Sequence, residues 1–338
     1  MLKNPEQLWE DLRTFRYNGM LTMKNLDNDL PTESCDSMYQ TGFYMVAAAL
    51  RLKRTKDPTL QKDLQETLQT IFDNGITFRG FNSDGEYWSG HGTDKIRETF
   101  GDKEIIGDVS RDQLMSLVFG LYFCNYALSA DEFPLIQDRV LQIARSLVGT
   151  FEEKDYDLGT TYGNCKTHSL PLSLALHEIT KESPIRYPFR SRLYFNFVSD
   201  ILAIIDSTYH YSNYVLMVLS LFLIANSTSD EISEDFRNSV KNHFLKIVRS
   251  RGEDQNLLFE LLYYFTYKEF AIERDGSYRE ILNEIFEKTP QPKVQDFVWK
   301  RSTEFRYKSH DKDQNKNFYA PWHDYLIVDE LLHDLDLD

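Results

Sequence analysis

Four aspartates, Asp36, Asp108, Asp112 and Asp324, stand just before or at the start of segments apolar enough to be buried helices. They lie in "ESCDS" (33–37), "GDVSRDQ" (107–113) and "APWHD" (320–324). Two carboxylates facing each other across a depression can do general acid and base work, one protonating a leaving group while the other activates water. Arg111, beside Asp112, would hold a substrate carboxylate or orient an aspartate. Other apolar segments open on polar groups of their own: Tyr162, Asn164 and His168 in "YGNCKTH", Asn213 in "HYSN", and Trp322 with His323 beside Asp324. The stretch "EYWSGHGTDK" (86–95) adds Trp88, His91 and Asp94 around Gly90 and Gly92, whose backbone freedom suits close approach to a ligand.

Helix capping explains part of this pattern without chemistry. Ser110-x-x-Gln113 is a capping box, and an acid at Asp112 suits the first turn of a helix, where the macrodipole favours negative charge. Asp36 before Ser37-x-x-Gln40, Asn213, Asp254 and Asn256 read equally well as caps, and Trp322 as core. Asp108 and Arg111 are left without a capping role, so they carry the case for a site.

Twelve helical segments position these groups: 5–17, 37–54, one opening at Asp57-Pro58, one within 105–128, 133–149, 166–180, 190–206, 212–226, 231–250, 255–267, 277–288 and 321–334. Pro171, inside the sixth, predicts a kink or a later start. Even-numbered segments are apolar on most of their surface, whereas several odd-numbered ones are apolar on one stripe. A helix apolar all round is buried, and a one-sided helix lies outside. Three connections entering even segments are long, about 18–36, 75–109 and 289–320, and long connections in a compact domain are commonly functional. A short β-hairpin is expected within 75–109, through Asp84-Gly85 in "FRGFNSDGEYW".

This alternation, with "CDSMYQTGFYMVAAAL", "GDVSRDQLMSLVFGLY" and "WHDYLIVDELL", resembles the α/α-toroid enzymes of the six-hairpin glycosidase-like group. The resemblance spans nearly the whole chain as architecture and these short segments as sequence. It implies an all-α fold, one (α/α)6-toroid domain over 1–338 with six inner and six outer helices. It also implies a carbohydrate-active site where the inner helices begin, with Asp or Glu as acid and base. The expected activity is glycosidic hydrolysis by Asp108 or Asp112 with Asp36 or Asp324. Trp88, His91, Asp94, Arg111, Tyr162, Asn164, His168, Asn213, Trp322 and His323 would contact the substrate. A uronate lyase or sugar isomerase using Tyr162, His168 or His91 with Arg111 is the alternative, and a non-catalytic binding or scaffold toroid is a third reading.

Composition narrows the partners. Apolar residues make up 41% of 338, enough for a large core, and the formal net charge is −15. Such a field repels phosphate backbones and argues against nucleic acid as a partner. The longest apolar run, "YSNYVLMVLSLFLIA" (211–225), is short for a membrane span, and "MLKNPEQLWEDLRTF" lacks the apolar core of a signal peptide. Cys35, Cys124 and Cys165 fit neither a disulfide framework nor zinc spacing, so a reducing, cytoplasmic setting is expected. No His-Glu-x-x-His, calcium loop, phosphate loop, dinucleotide fingerprint or serine elbow occurs, and neither metal nor cofactor is expected. The expected partner is a small molecule or oligosaccharide, and an acidic sugar would suit converging helix amino ends.

Overall fold

The computed structural model describes residues 5–21, 23–25, 31–32, 37–75, 80–82, 96–100, 103–106, 111–153, 169–182, 211–229, 232–252, 256–288, 318–319 and 323–337. Pro5 starts helix α1 (Pro5–Arg13), which ends four residues short of the expected 17. The reason is Asn18-Gly19. Both residues have positive φ, 52° and 80°, the requirement of a two-residue I′ turn, and the turn joins β1 (Arg16–Tyr17) to β2 (Met20–Leu21).

The chain continues through β3 (Met23–Asn25), β4 (Pro31–Thr32), α2 (Ser37–Thr55), α3 (Pro58–Asn74), β5 (Gly80–Asn82), β6 (Ile96–Phe100), β7 (Lys103–Ile106) and α4 (Arg111–Ala127). There follow α5 (Pro134–Glu153), α6 (Ser169–Thr180), α7 (Tyr211–Ala225), α8 (Glu234–Gly252), α9 (Leu257–Tyr267), α10 (Tyr278–Lys288), β8 (Phe318–Tyr319) and α11 (His323–Asp334). The described residues are mostly helical, as an all-α reading requires. The expected helix over 190–206 lies outside the described residues. Pro171 is the third residue of α6, where no helical hydrogen bond is lost, so the later start is the outcome.

Burial follows the apolar pattern. Every residue of α2 from Ser37 to Leu52 is buried, whereas α3 buries one stripe, Leu60, Leu64, Thr67, Leu68 and Ile71 with Asn74 at its end. α4, α7, α9 and α11 resemble α2 in having long buried runs, and α5 and α8 resemble α3.

α2 packs on α4, α4 on α6, α6 on α7, α7 on α9, α9 on α11, and α11 back on α2. α3 and α5 lie against α2, α4 and α6, while α8 lies against α7 and α9, and α1 and α10 against α11. The α2–α4 crossing is the closest. A Cβ on Gly42 would stand 2.3 Å from the Ser116 carbonyl oxygen, and one on Gly120 would stand 2.6 Å from that of Gly42. Ser116 Oγ donates to the Tyr39 carbonyl at 2.5 Å.

Contacts at the carboxyl ends give these helices one direction. Glu178 near the end of α6 accepts from the Thr228 amide just past α7. Asn226 after α7 donates to Thr266 in the last turn of α9 at 2.9 Å. Asp334, last in α11, binds Lys53 of α2 at 2.7 Å and accepts from Tyr126 of α4 at 3.1 Å. Tyr126 in turn meets Phe265 of α9, with ring centroids 4.9 Å apart. The space between the helices is filled by rings: Phe43, Phe119, Phe123, Phe222 and Phe265 form one continuous series.

The strands form two-stranded β1-β2 and two three-stranded sheets, β4-β3-β8 and β5-β7-β6, all antiparallel. A hairpin does form within 75–109, but it runs from β6 to β7, with Phe100 opposite Lys103. β5 pairs with β7, and the dipeptide Asp84-Gly85 lies outside the described residues.

Candidate functional site

Three strands lead directly into three adjacent helices. Positions 33–36 separate β4 from α2, 107–110 separate β7 from α4, and 320–322 separate β8 from α11. β3 joins β4 and β8 in one sheet, so the entries to α2 and α11 are tied together. α4 and α11 are the two helices on either side of α2. Every candidate catalytic aspartate, Asp36, Asp108, Asp112 and Asp324, belongs to one of these entries or to the helix start that follows it.

Arg111 and Asp112 are the first two residues of α4, and Asp112 is half-buried. His323 and Asp324 are the first two residues of α11, and Asn213 is the third of α7, a helix that also packs on α4. Asp36, Trp88, His91, Asp94, Asp108, Tyr162, Asn164, His168 and Trp322 lie outside the described residues. What the fold brings together is therefore a set of helix starts: α11 with Asp324, α2 directly after Asp36, and α4 with Arg111 and Asp112.

The polar residues just inside these starts are structural. Ser116 is engaged with the Tyr39 carbonyl, and Thr41 Oγ1 accepts from the Leu21 amide at 2.9 Å. They fasten α4 and β2 to α2. Of the residues read as caps, Asn256 takes that role, its Oδ1 accepting from the Phe259 amide at 3.2 Å. Glu260, buried one turn on, accepts from Arg274 at 2.8 Å and Tyr278 at 2.9 Å, so its charge ties α9 to α10.

A second polar system, at the carboxyl ends, has no counterpart in the sequence reading. Glu330 of α11 is 1% exposed and takes both Arg54 of α2, at 2.8–3.2 Å, and Arg51, at 3.3 Å. Arg51 also pairs with Glu6 and lies 5.0 Å over the Trp9 ring. The available signal was charge in the wrong place: "RLKR" ending an apolar helix and "VDELLHD" inside another.

Among the described residues no group of three or more His, Cys, Asp or Glu is placed to hold a metal ion. Cys124 is a buried free thiol whose pKa burial pushes far up, which leaves it protonated and unreactive. Among the described residues no helix is long and apolar enough to cross a membrane. Comparison with known protein families, curated proteins and solved structures gives no match to this chain.

Proposed function

We propose that the chain is a single-domain (α/α)6 toroid and a carbohydrate-active enzyme. Its inner ring would be α2, α4, α6, α7, α9 and α11, and its site would occupy the face where those helices begin. The observation that carries this reading is the threefold recurrence of strand, three- or four-residue connection and inner helix at α11, α2 and α4, each with an aspartate at the junction. The aromatic filling between the helices supports it, because a ring closed from below leaves a depression, and not a channel, at the amino ends.

In the proposed mechanism one of Asp108 and Asp112 and one of Asp36 and Asp324 act as general acid and general base on a glycosidic bond. The acid protonates the departing oxygen while the base removes a proton from the attacking water. Arg111 and the amino ends of the helices supply positive potential for a substrate carboxylate.

The test uses the full chain with panels of neutral and acidic oligosaccharides, and measures reducing-end release. Asp108→Asn, Asp112→Asn, Asp36→Asn and Asp324→Asn are compared with wild type, with folding checked by circular dichroism. Loss of one acid or base should lower turnover by roughly 10²- to 10⁴-fold. Full turnover in all four variants overturns the mechanism. Release of a conjugated, ultraviolet-absorbing product assigns the chain to elimination by Tyr162, His168 or His91 instead.

A further inference from the structure

The seam where α1 and the β1–β2 hairpin pack on α2 gathers buried polar atoms that no described residue satisfies. Trp9 Nε1, Arg16 Nε, Gln40 Oε1 and Tyr44 Oη are each buried with no hydrogen-bond partner among the described residues. Their residues are neighbours. The Trp9 and Tyr44 rings meet edge-on at 6.5 Å, and the Arg16 guanidinium carbon lies 5.9 Å from the Tyr44 ring centre. Gln40 and Tyr44 are one turn apart on the same face of α2. Trp9, Gln40 and Tyr44 are 4%, 2% and 1% exposed, so bulk water does not satisfy them.

A buried polar group without a partner carries its whole desolvation penalty, and four such groups at one seam would consume much of a folded domain's margin. The chemistry of the four atoms says what would satisfy them. Trp9 Nε1 and Arg16 Nε only donate, Gln40 Oε1 only accepts, and a tyrosine hydroxyl does either. Burial pushes the Tyr44 pKa far up, so that group keeps its proton. An occupant must therefore both accept and donate. It must also be uncharged, because the cations present are already matched. Arg13 pairs with Glu10, Asp57 and Asp63, Arg16 with Asp63 and Glu66, and Arg51 with Glu6 and Glu330.

We infer that this seam is a binding site for a small uncharged hydroxyl-bearing molecule, either a polyol or ordered water, held by Trp9, Arg16, Gln40 and Tyr44. Gln40 is in the first turn of α2, so the seam borders the amino-end face of the proposed function, on another side of that helix. Gln40 lies roughly 100° round α2 from Tyr39, the residue whose ring packs on Phe43 at 5.0 Å at the head of the aromatic interior.

Thermal unfolding of the full chain tests the site through Tyr44→Phe and Gln40→Met, which keep much of the shape and remove the hydroxyl and the side-chain amide. A bridging hydroxyl predicts that each lowers Tm by about 2–4 °C. Unchanged or raised Tm in both variants overturns the inference, because deleting a truly orphaned group is neutral or favourable. Glycerol, myo-inositol and glucose at ~10 mM then separate the two sources by mass action. A rise in Tm for wild type that Tyr44→Phe abolishes identifies a polyol. The variant losses with no response to any of the three identify water.

Discussion

At the scale of single residues, Glu178 and Gly42 act through opposite means, one through hydrogen bonds and one through the lack of an atom. Burial of Glu178 tends to raise its pKa, but the Thr228 amide and hydroxyl and the Lys181 ammonium outweigh that and hold it below the ordinary 4.5. A carboxyl with a depressed folded-state pKa contributes stability that is fully present above its unfolded pKa and is lost as pH falls through 4.5 toward the folded value. Glu178→Gln should therefore lower the urea midpoint at pH 7, and its difference from wild type should shrink as pH falls below 4.5. A difference that stays constant across that range would mean that the carboxylate charge contributes nothing. Gly42→Ala has no such dependence on pH. Its methyl would fall 2.3 Å from a backbone oxygen of α4, where no side chain can swing away. A cost of at least ~2–3 kcal/mol is expected, measured by chemical denaturation, from overpacking two backbones in contact.

At the scale of elements, the sequence was legible wherever period and caps agreed. Asp57 caps α3 through the Thr59 amide at 2.8 Å with Pro58 next, and the expected boundary held. Asn256 heads α9 in the same manner, and Asn256→Ala should cost ~1 kcal/mol in unfolding free energy. An unchanged denaturation midpoint would show that the Phe259 amide finds another acceptor. Legibility failed where a non-local demand overrode the period. Leu8, Leu12 and Phe15 mark one helical face, yet the helix stops at Arg13 because Asn18-Gly19 turns the chain and Arg16 is drawn to Asp63 and Glu66 of α3. Asn18-Gly19 between Tyr17 and the apolar pair Met20-Leu21 is a hairpin signal that the helical stripe obscured. Strand pairing was equally hidden. β5 reaches across to β7, and β8 joins β3 from the far end of the chain, and neither match is coded in local alternation. For the candidate site, the residues at helix starts were readable as types, but their adjacency comes from α2 lying between α11 and α4.

At the scale of the molecule, the question is what holds the last helix against the first long one. α11 presents a continuous apolar surface, with Tyr325, Leu326, Ile327, Val328, Leu331 and Leu332 all buried, and such a surface fits its neighbours in more than one register. Three carboxylates remove that freedom: Asp329 pairs with Arg279 of α10, Glu330 with Arg51 and Arg54 of α2, and Asp334 with Lys53. Because Arg51 also takes Glu6 and stacks on Trp9, the same node anchors α1. Burying ions is costly, so such a node specifies register more than it adds net stability, and its removal is asymmetric. Glu330→Met alone leaves Arg51, 9% exposed, with only the exposed Glu6 as a carboxylate partner and should cost ~1–3 kcal/mol. Glu330→Met combined with Arg51→Met and Arg54→Met should recover much of that loss, because no buried charge is then stranded. Urea unfolding of the single and triple variants, run beside near-ultraviolet circular dichroism, separates the two roles. Restored stability with weakened or broadened tertiary signal is the outcome expected of a register-setting pin. A triple variant no more stable than Glu330→Met would instead make the ion pairs themselves the source of the closure energy.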